Sequence, residues 1–388
     1  MSLFNIKIDF DKSRGSFIYD KTTNEKYLDF MGMYSSLPIG YNHKIFKDRQ
    51  FKKDISRVAK LKIVNCEILS DEFEKFYKSF KNFTSLSKYE NYHFACTGAL
   101  ANEAAIKTAM WHKEPHPDAK IISIANSFHG INSVGNLFTS RFPSVDERLG
   151  KIFLTYHNDQ IQASCVNDAI QALDQYDNIQ GVLVEPIQST FGDSYLNKKE
   201  LQSLYSKCKT KDVPLIFDEI QTGFCSTGKT WYFQHLDIDP DIVVFGKKSQ
   251  VSGIMVKQSH SKVFEMRKKL SVTFDGDLID MVRCHYIIKA IKNEGLKENV
   301  EQMGKLFSAG LSQIKNIKNV RSKGLLVAFD FDDKESRDKF CKNLFLNKML
   351  CNPTGDFSVR MRPNLAVKKF EIEQALLRIK RSVNEIWK

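Results

Sequence analysis

The sequence predicts an α/β protein with a large, mostly parallel β-sheet covered by helices and a smaller α+β domain. Between about residues 60 and 280, short apolar runs alternate with helical patterns, which is typical of parallel strands joined by helices. Beyond residue 280 longer helical patterns surround a single strand, and a hairpin pattern lies near the N-terminus. Because no Pro/Ser-rich linker separates these regions, we expect interwoven domains.

The N-terminal hairpin is predicted from two apolar runs, residues 16–19 and 26–30, separated by a polar segment. The central region then contains short apolar runs flanked by turn residues, as expected for buried strands. These predicted strands are residues 92–96, 120–124, 181–184, 213–217 and 242–245.

The last hundred residues predict mainly helices. Helical patterns cover residues 280–293, 300–314 and 336–347, with a strand at 324–331. The final helix places one apolar stripe on a single face, formed by Ile372, Ala375, Leu376, Ile379, Val383 and Ile386. We therefore predict a large domain of residues 55–280 and a small discontinuous α+β domain of residues 1–54 and 281–388.

Composition excludes several classes of protein. The chain has 388 residues, of which 42% are hydrophobic and 27% charged, as in ordinary globular proteins. It lacks both an apolar run of about 18 residues and a secretory signal pattern, so we expect a cytoplasmic protein without a membrane span. The net charge of +12 is spread along the chain without a recognition motif, so no nucleic-acid partner is expected.

Two reactive side chains follow neighbouring apolar strands. Asp218 comes directly after the run 215–217, and Lys247 follows the strand 242–245 by one glycine. Ligands of open α/β sheets bind outside the carboxyl ends of such strands. A lysine can form a Schiff base with pyridoxal 5'-phosphate, and an aspartate can keep its pyridine nitrogen protonated. The pattern therefore predicts this cofactor, without a metal, and favours Lys247 over the adjacent Lys248; a salt bridge from Asp218 to an arginine is the alternative.

A turn after the first central strand is suited to the cofactor phosphate. Thr97, Gly98 and Ala99 open an alanine-rich helix, whose first turn leaves backbone N–H groups unpaired. Thr97 adds a hydroxyl donor, and Gly98 permits close approach of the backbone. An ordinary helix cap is the alternative reading of this turn.

Three further side chains lie at or near strand ends. Phe128 could stack on the cofactor ring, with His129 as its neighbour or as a hydrogen-bonding group. Glu185 follows a buried strand and could orient the ring substituents. Gln221 could hydrogen-bond the ring hydroxyl. Core packing is the alternative for Phe128.

Taken together, these residues resemble the class III, ornithine-type family of pyridoxal-phosphate aminotransferases. The resemblance covers nearly the whole chain, and its most specific motifs are residues 217–223 (FDEIQTG), 227–228 (TG), 240–243 (PDIV) and 246–247 (GK).

Within that family the chain is most similar to lysine 6-aminotransferases. Residues 247–253 (KKSQVSG) resemble their GKKTQVCG run, residues 27–36 their Y-L-D segment ending in two serines, and residues 141–143 their R-F-P.

The resemblance implies a pyridoxal-phosphate transferase of fold type I that forms a homodimer with active sites at the subunit interface. Thr273 matches the threonine that reaches the cofactor phosphate of the partner subunit. Arg360 matches the arginine that binds a substrate carboxylate, and Arg141 the one that holds the carboxylate of lysine.

Two positions depart from the family pattern. Thr190 stands where relatives have a glutamate that covers the counterpart of Arg360, and Asp275 stands where they commonly have glycine. Because threonine has no charge to mask an arginine, the identity of the amino donor is less firmly implied than the cofactor.

The implied function is a ping-pong aminotransferase that moves the terminal amine of lysine or a similar diamino acid to 2-oxoglutarate. Two alternatives stay open at the level of the sequence. One is another pyridoxal-phosphate reaction on the same fold, such as that of an aminomutase, racemase or decarboxylase. The other is a non-catalytic interaction protein that keeps the fold.

Overall fold

A computed structural model describes residues 4–65, 67–114, 116–140, 160–266 and 268–386. The chain divides into two compact units. The terminal unit comprises residues 1–55, 224–230 and 286–388, and the central unit comprises residues 56–223 and 231–285.

Strands and helices are numbered in chain order over the described residues. The strands are β1 (Phe17–Tyr19), β2 (Lys26–Asp29), β3 (Asn91–Ala95), β4 (Lys120–Ile124), β5 (Gln160–Ala163), β6 (Ile179–Val184), β7 (Ile187–Gln188), β8 (Ser194–Tyr195), β9 (Leu215–Asp218), β10 (Ile242–Phe245), β11 (Ser252–Val256), β12 (Lys318–Lys323), β13 (Leu326–Asp330), β14 (Met349–Leu350), β15 (Asn352–Thr354) and β16 (Ser358–Met361). The helices are α1 (Gly32–Ser35), α2 (Arg49–Val58), α3 (Asp71–Thr84), α4 (Gly98–Met110), α5 (Ser133–Phe138), α6 (Val166–Gln175), α7 (Lys198–Lys211), α8 (Phe233–Leu236), α9 (Leu278–Asn293), α10 (Leu296–Leu311), α11 (Lys334–Leu346) and α12 (Lys369–Asn384).

The central unit is built on a seven-stranded sheet with the order β3-β11-β10-β9-β6-β4-β5. Neighbours from β10 to β5 pair in parallel, whereas β11 is antiparallel to both β10 and β3. β3 therefore runs in the same direction as the parallel strands. As a result, β3, β4, β6, β9 and β10 all end at one edge of the sheet, which is the edge where ligands bind in such folds.

Small side chains let helix α4 pack closely on one face of this sheet. Its alanines lie in a buried cluster that includes Leu183, Ile216 and Val244 from three strands. A Cβ added to Gly181 would lie only 3.1 Å from the Cβ of Ala109, so the strand and the helix approach each other closely. This packing fixes the start of α4 relative to the strand ends.

Aromatic side chains cover another part of the sheet. The ring of Phe245 on β10 lies 4.9 Å from that of Phe80 on α3 and 6.1 Å from that of Phe94 on β3, measured between centroids. Phe80 and Phe245 are fully buried. Since side chains alternate along a strand, Phe245 packs on the face opposite to Val244.

The terminal unit contains two smaller sheets. One is four-stranded and antiparallel, with the order β12-β13-β16-β15. In the other, the hairpin of β1 and β2 is extended by β14, which pairs in parallel with β2. The N-terminal hairpin is thus completed by a strand from the last part of the chain.

Helix α12 is joined to the N-terminal hairpin by Glu371. The Glu371 carboxylate accepts hydrogen bonds from the backbone N–H of Lys368 at 2.8 Å and of Ser16 at 2.9 Å. In the first contact it caps the helix, and in the second it anchors the chain just before β1. The predicted apolar stripe of this helix is buried at Ile372, Ala375, Ile379, Val383 and Ile386, and partly exposed at Leu376.

The structure contains all five strands predicted for the central region, with end shifts of up to two residues, and it adds β5, β7, β8 and β11. The strand predicted at 324–331 is corrected in the structure. Gly324 has a φ of 58° and turns the chain between β12 and β13, so the strand begins only at Leu326. A left-handed backbone conformation suits glycine and ends a strand.

Within the described ranges, no helix has the length and apolar character that a membrane crossing requires.

Candidate active site

A cavity of about 270 Å³ lies at the edge where the parallel strands of the central unit end. Each of β3, β4, β6, β9 and β10 contributes residues at or just after its carboxyl end, and β11 contributes its first residue. The lining residues are Gly98, Ala99, Phe128, His129, Gly130, Glu185, Thr190, Asp218, Ile220, Gln221, Lys247 and Ser252.

The Asp218 carboxylate is held by three hydrogen bonds. Its Oδ2 accepts hydrogen bonds from the Nδ1 of His129 at 2.8 Å and from the Nδ2 of Asn102 at 2.9 Å. Its Oδ1 accepts one from the backbone N–H of Ile220 at 3.1 Å. Because Asp218 is only 3% exposed, these contacts fix both the position and the orientation of its charge.

His129 binds Asp218 as a neutral ring. Its Nε2 is buried and has no hydrogen-bond partner among the residues that the structure describes. A doubly protonated ring would leave an N–H buried without an acceptor, which is costly, so the proton resides on Nδ1. The arginine partner considered for Asp218 from the sequence is not found: within the described part of the chain, the side chains that contact the Asp218 carboxylate are His129 and Asn102.

A buried carboxylate without a protein cation is suited to a cationic ligand. Ionised groups persist in protein interiors when they are paired, and Asp218 faces the cavity. The protonated ring nitrogen of pyridoxal 5'-phosphate is a cation of the required size. The donor set around Asp218 therefore fits this cofactor.

Lys247 lies across the same cavity, at the end of β10. It is the first residue of a short 3-10 turn, Lys247–Ser249, and its φ of 52° is in the left-handed region. A non-glycine residue in that region stores backbone strain, which is often found at functional sites. Lys248 is 2% exposed and does not line the cavity, in agreement with the preference for Lys247.

Two glycines, Gly98 and Gly130, leave space beside the first turn of α4. Gly98 and Ala99 line the cavity, while Thr97 is exposed and caps the helix by accepting a hydrogen bond from the N–H of Leu100 at 3.4 Å. A Cβ on Gly130, whose φ is 109°, would lie 2.7 Å from the Cβ of Ala99. The first turn of α4 thus presents backbone N–H groups to the cavity, as an anion site requires.

Glu185 and Gln221 bring polar atoms to the wall. The Glu185 carboxylate accepts hydrogen bonds from the backbone N–H of Phe128 at 3.0 Å and of Ser189 at 3.1 Å, which fixes the segment that carries the Phe128 ring. The Oε1 of Gln221 is buried without a hydrogen-bond partner among the described residues. It is available to a hydroxyl group in the cavity.

Two predicted residues besides Thr97 are not among the residues that line this cavity, and a third lies outside the described residues. Thr273 lies in an exposed segment of the central unit. Arg360 is on β16 of the terminal unit and is 7% exposed. Arg141 lies outside the described residues.

Sequence reasoning missed Asn102, which contacts Asp218. Asn102 is fully buried in the middle of the alanine-rich face of α4. A polar residue on an otherwise apolar helix face was the available signal. Ile220 and Ser252 on the cavity wall had no such signal, because their positions depend on the turns after β9 and before β11.

The family model for class III aminotransferases matches residues 3–383 of the chain. The chain belongs to the class III aminotransferases. It is therefore a pyridoxal 5'-phosphate-dependent aminotransferase, and the α/β fold predicted from the sequence is confirmed as fold type I.

Known class III aminotransferases resemble this one along nearly their whole length. An L-lysine-epsilon aminotransferase of Mycobacterium tuberculosis is 30% identical, with 97% of this chain and 91% of the relative aligned. A 4-aminobutyrate aminotransferase of Schizosaccharomyces pombe is 26% identical, with 98% and 90% aligned. The solved structure of the lysine aminotransferase from M. tuberculosis superposes with a TM-score of 0.88 at 28% identity, covering 98% of this chain and 95% of that one.

Glu219, the residue after Asp218, is also buried but does not line the cavity. Its carboxylate accepts hydrogen bonds from the backbone N–H groups of Tyr232 at 2.6 Å and Phe233 at 2.8 Å, and from the hydroxyl of Thr222 at 3.0 Å. Burial raises the pKa of Glu219 from its ordinary 4.5 to about 7, although these bonds oppose the shift. Thus Asp218 lines the cavity, whereas the adjacent Glu219 binds backbone and hydroxyl groups of the interior.

The raised pKa of Glu219 predicts a pH-dependent stability difference. Since the folded state binds the proton more tightly, the contribution of Glu219 to the free energy of unfolding is greatest below pH 4.5 and is lost as the pH rises through 7. The glutamine in Glu219→Gln cannot titrate. The free energy of unfolding of the wild type, minus that of this variant, should therefore fall by roughly 2 to 3 kcal/mol between about pH 5 and pH 8. Urea unfolding at both pH values measures it, and a value that rose with pH would contradict the assignment.

Proposed function

We propose that this class III aminotransferase moves the terminal amine of lysine, or of a similar diamino acid, to 2-oxoglutarate in two half-reactions. The higher identity to an L-lysine-epsilon aminotransferase, 30% against 26% for a 4-aminobutyrate aminotransferase, supports lysine as the first donor to consider. Both names describe donors whose reacting amine is at the end of a chain.

One observation carries the assignment of the catalytic residues: Lys247 and the uncompensated Asp218 carboxylate face the same cavity. Lys247 would hold the cofactor through its side-chain amine and would carry a proton to and from the substrate carbon. Asp218 would hold the ring nitrogen and keep it protonated. Bound pyridoxal 5'-phosphate supplies the electron sink for the reaction.

The remaining cavity residues orient the cofactor in this proposal. Thr97, Gly98 and Ala99 bind the phosphate at the start of α4, where backbone N–H groups and the helix dipole favour an anion. Phe128 covers one face of the ring, Gln221 binds the ring hydroxyl, and Glu185 holds the segment that carries Phe128.

Arg360 and Arg141 bind the substrate carboxylates in this proposal, because a guanidinium group can bind a carboxylate through two hydrogen bonds. Thr190 lies on the cavity wall at the position of the family's gating glutamate. It carries no charge, so a donor with one carboxylate and a terminal amine must be accommodated without the covering acid of the relatives.

We also propose a cytosolic homodimer in which Thr273 reaches the cofactor phosphate of the partner subunit. Thr273 is exposed and lies outside the cavity of its own chain. Two nearby segments expose apolar side chains, and the ammonium of Lys62 in one lies 4.6 Å from the ring centroid of Phe274 in the other. These apolar side chains, here called the 61/274 surface, are Leu61, Ile68, Leu69, Val272 and Phe274. Such a patch is typical of a protein interface.

Covalent attachment tests the role of Lys247. Borohydride reduction of the holoenzyme should fix the cofactor to the peptide that contains Lys247, as identified by mass spectrometry. Lys247→Ala should abolish both the adduct and transamination, because no other described residue of the cavity wall carries an amine. Lys248→Met is the matched control and should keep the adduct; an adduct on Lys248 or elsewhere would disprove the assignment.

A donor panel tests the substrate. With 2-oxoglutarate as acceptor, we expect glutamate to form with lysine or ornithine at least tenfold faster, in kcat/KM, than with α-amino acids that lack a second amine, which corresponds to about 1.4 kcal/mol. 4-Aminobutyrate separates the two kinds of relative. If lysine and ornithine are inert while 4-aminobutyrate reacts, the proposed donor is wrong although the class is unchanged.

Charge on the 61/274 surface tests the dimer. In sedimentation velocity the wild type should sediment as a dimer, whereas Phe274→Asp should sediment more as a monomer, because a carboxylate is unfavourable within an apolar interface. Leu377→Asp replaces another exposed apolar residue, which lies in the terminal unit, and should leave the dimer intact. Dimers that persist in Phe274→Asp, or wild type that sediments as a monomer, would argue against this interface.

A further inference from the structure

Asn102 connects helix α4 to the end of β9. It is fully buried, and its Nδ2 donates hydrogen bonds to the Oδ2 of Asp218 at 2.9 Å and to the backbone carbonyl of His129 at 3.1 Å. The same helix presents Gly98 and Ala99 to the cavity at its first turn. One side chain therefore joins the proposed phosphate end of the site, the segment after β4 and the carboxylate at the end of β9.

The orientation of the Asn102 amide is fixed by its neighbours. Both groups that contact Nδ2 are acceptors, so the reverse orientation would place the amide oxygen against a carboxylate and a carbonyl. In the observed orientation, Oδ1 is buried without a hydrogen-bond partner among the described residues. A buried acceptor without a donor is unfavourable, and a leucine of similar size would avoid that cost. Unlike leucine, asparagine can donate a hydrogen bond to Asp218, which offsets that cost.

The two oxygens of Asp218 differ in their remaining capacity. Oδ2 receives two side-chain donors, from His129 and Asn102, which engage both of its lone pairs. Oδ1 receives the N–H of Ile220 and keeps a lone pair for another donor. Both side-chain donors are uncharged, so they orient the carboxylate without neutralising it.

We infer that Asn102 is a positioning residue for Asp218. By holding Oδ2, it leaves Oδ1 oriented for the ring nitrogen that the proposed cofactor would present. This inference rests on the proposed function of Asp218 and Lys247. Asn102 itself is not among the residues that line the cavity.

A cofactor analogue distinguishes this role from a purely structural one. The 1-deaza analogue of pyridoxal 5'-phosphate has carbon in place of the ring nitrogen but keeps the aldehyde and the phosphate. Affinities of the full-length apoenzyme for both compounds are measured by fluorescence titration. Wild type should prefer the natural cofactor, and Asn102→Leu should reduce that preference about tenfold, the effect of one hydrogen bond to a charged group. Affinity for the deaza analogue should change less than twofold.

Two further variants keep the test decisive. Asn102→Ala removes the same donor without adding bulk and should show the same loss of preference if the leucine variant does not fold. Asn364→Leu is the matched control: Asn364 is also buried, but its Nδ2 donates to the hydroxyl of Ser16 at 2.9 Å in the terminal unit. It should retain the wild-type preference whatever its effect on thermal stability.

The contrary outcomes separate the role of Asn102 from the role of Asp218. If the Asn102 variants lose affinity for both compounds equally, or keep the wild-type preference, Asn102 is structural and the inference fails while Asp218 retains its proposed role. If wild type itself binds both compounds equally, Asp218 does not contact the ring nitrogen, and the proposed function of Asp218 fails together with the inference.

Discussion

The site depends on the buried carboxylate of Asp218. Asp218 is 3% exposed, and its partners in the described part of the chain, His129, Asn102 and the N–H of Ile220, are all uncharged donors. Such an arrangement orients a carboxylate without neutralising it, so a cationic ligand gains more from binding than it would beside a protein salt bridge. The electrostatics of the cavity therefore support the proposed contact between Asp218 and a protonated ring nitrogen.

The direction of β3 makes the remaining site possible. β11 is antiparallel to both of its neighbours, β10 and β3, so β3 runs in the same direction as β10. The turn after β3 therefore lies at the same edge of the sheet as Lys247 and Asp218. The alanines of α4 then bring the helix close to the sheet, which places Gly98 and Ala99 on the cavity wall. The proposed phosphate site and the proposed ring-nitrogen site thereby lie on the same sheet and helix.

The strands of the central region were predictable because apolar runs such as 242–245 are short, β-branched and followed by glycine or an acid. Strands without that signal were missed: β5 contains two glutamines, and β12 is rich in charged residues. Gly324 was assigned to a strand because its neighbours are apolar, whereas its left-handed φ makes it a turn. The predicted domain boundaries and residue roles stay predictions.

The sequence by itself determined the fold class, the cofactor and the residues at the strand ends, because apolar periodicity and the lysine and acid motifs are local properties of the chain. Only the tertiary structure decided which groups meet. Among the described residues, it paired Asp218 with His129 and Asn102 rather than with an arginine, and it put Lys247 rather than Lys248 on the cavity wall. These contacts join residues up to 116 positions apart. Their geometry depends on strand order and helix packing, which no local pattern encodes.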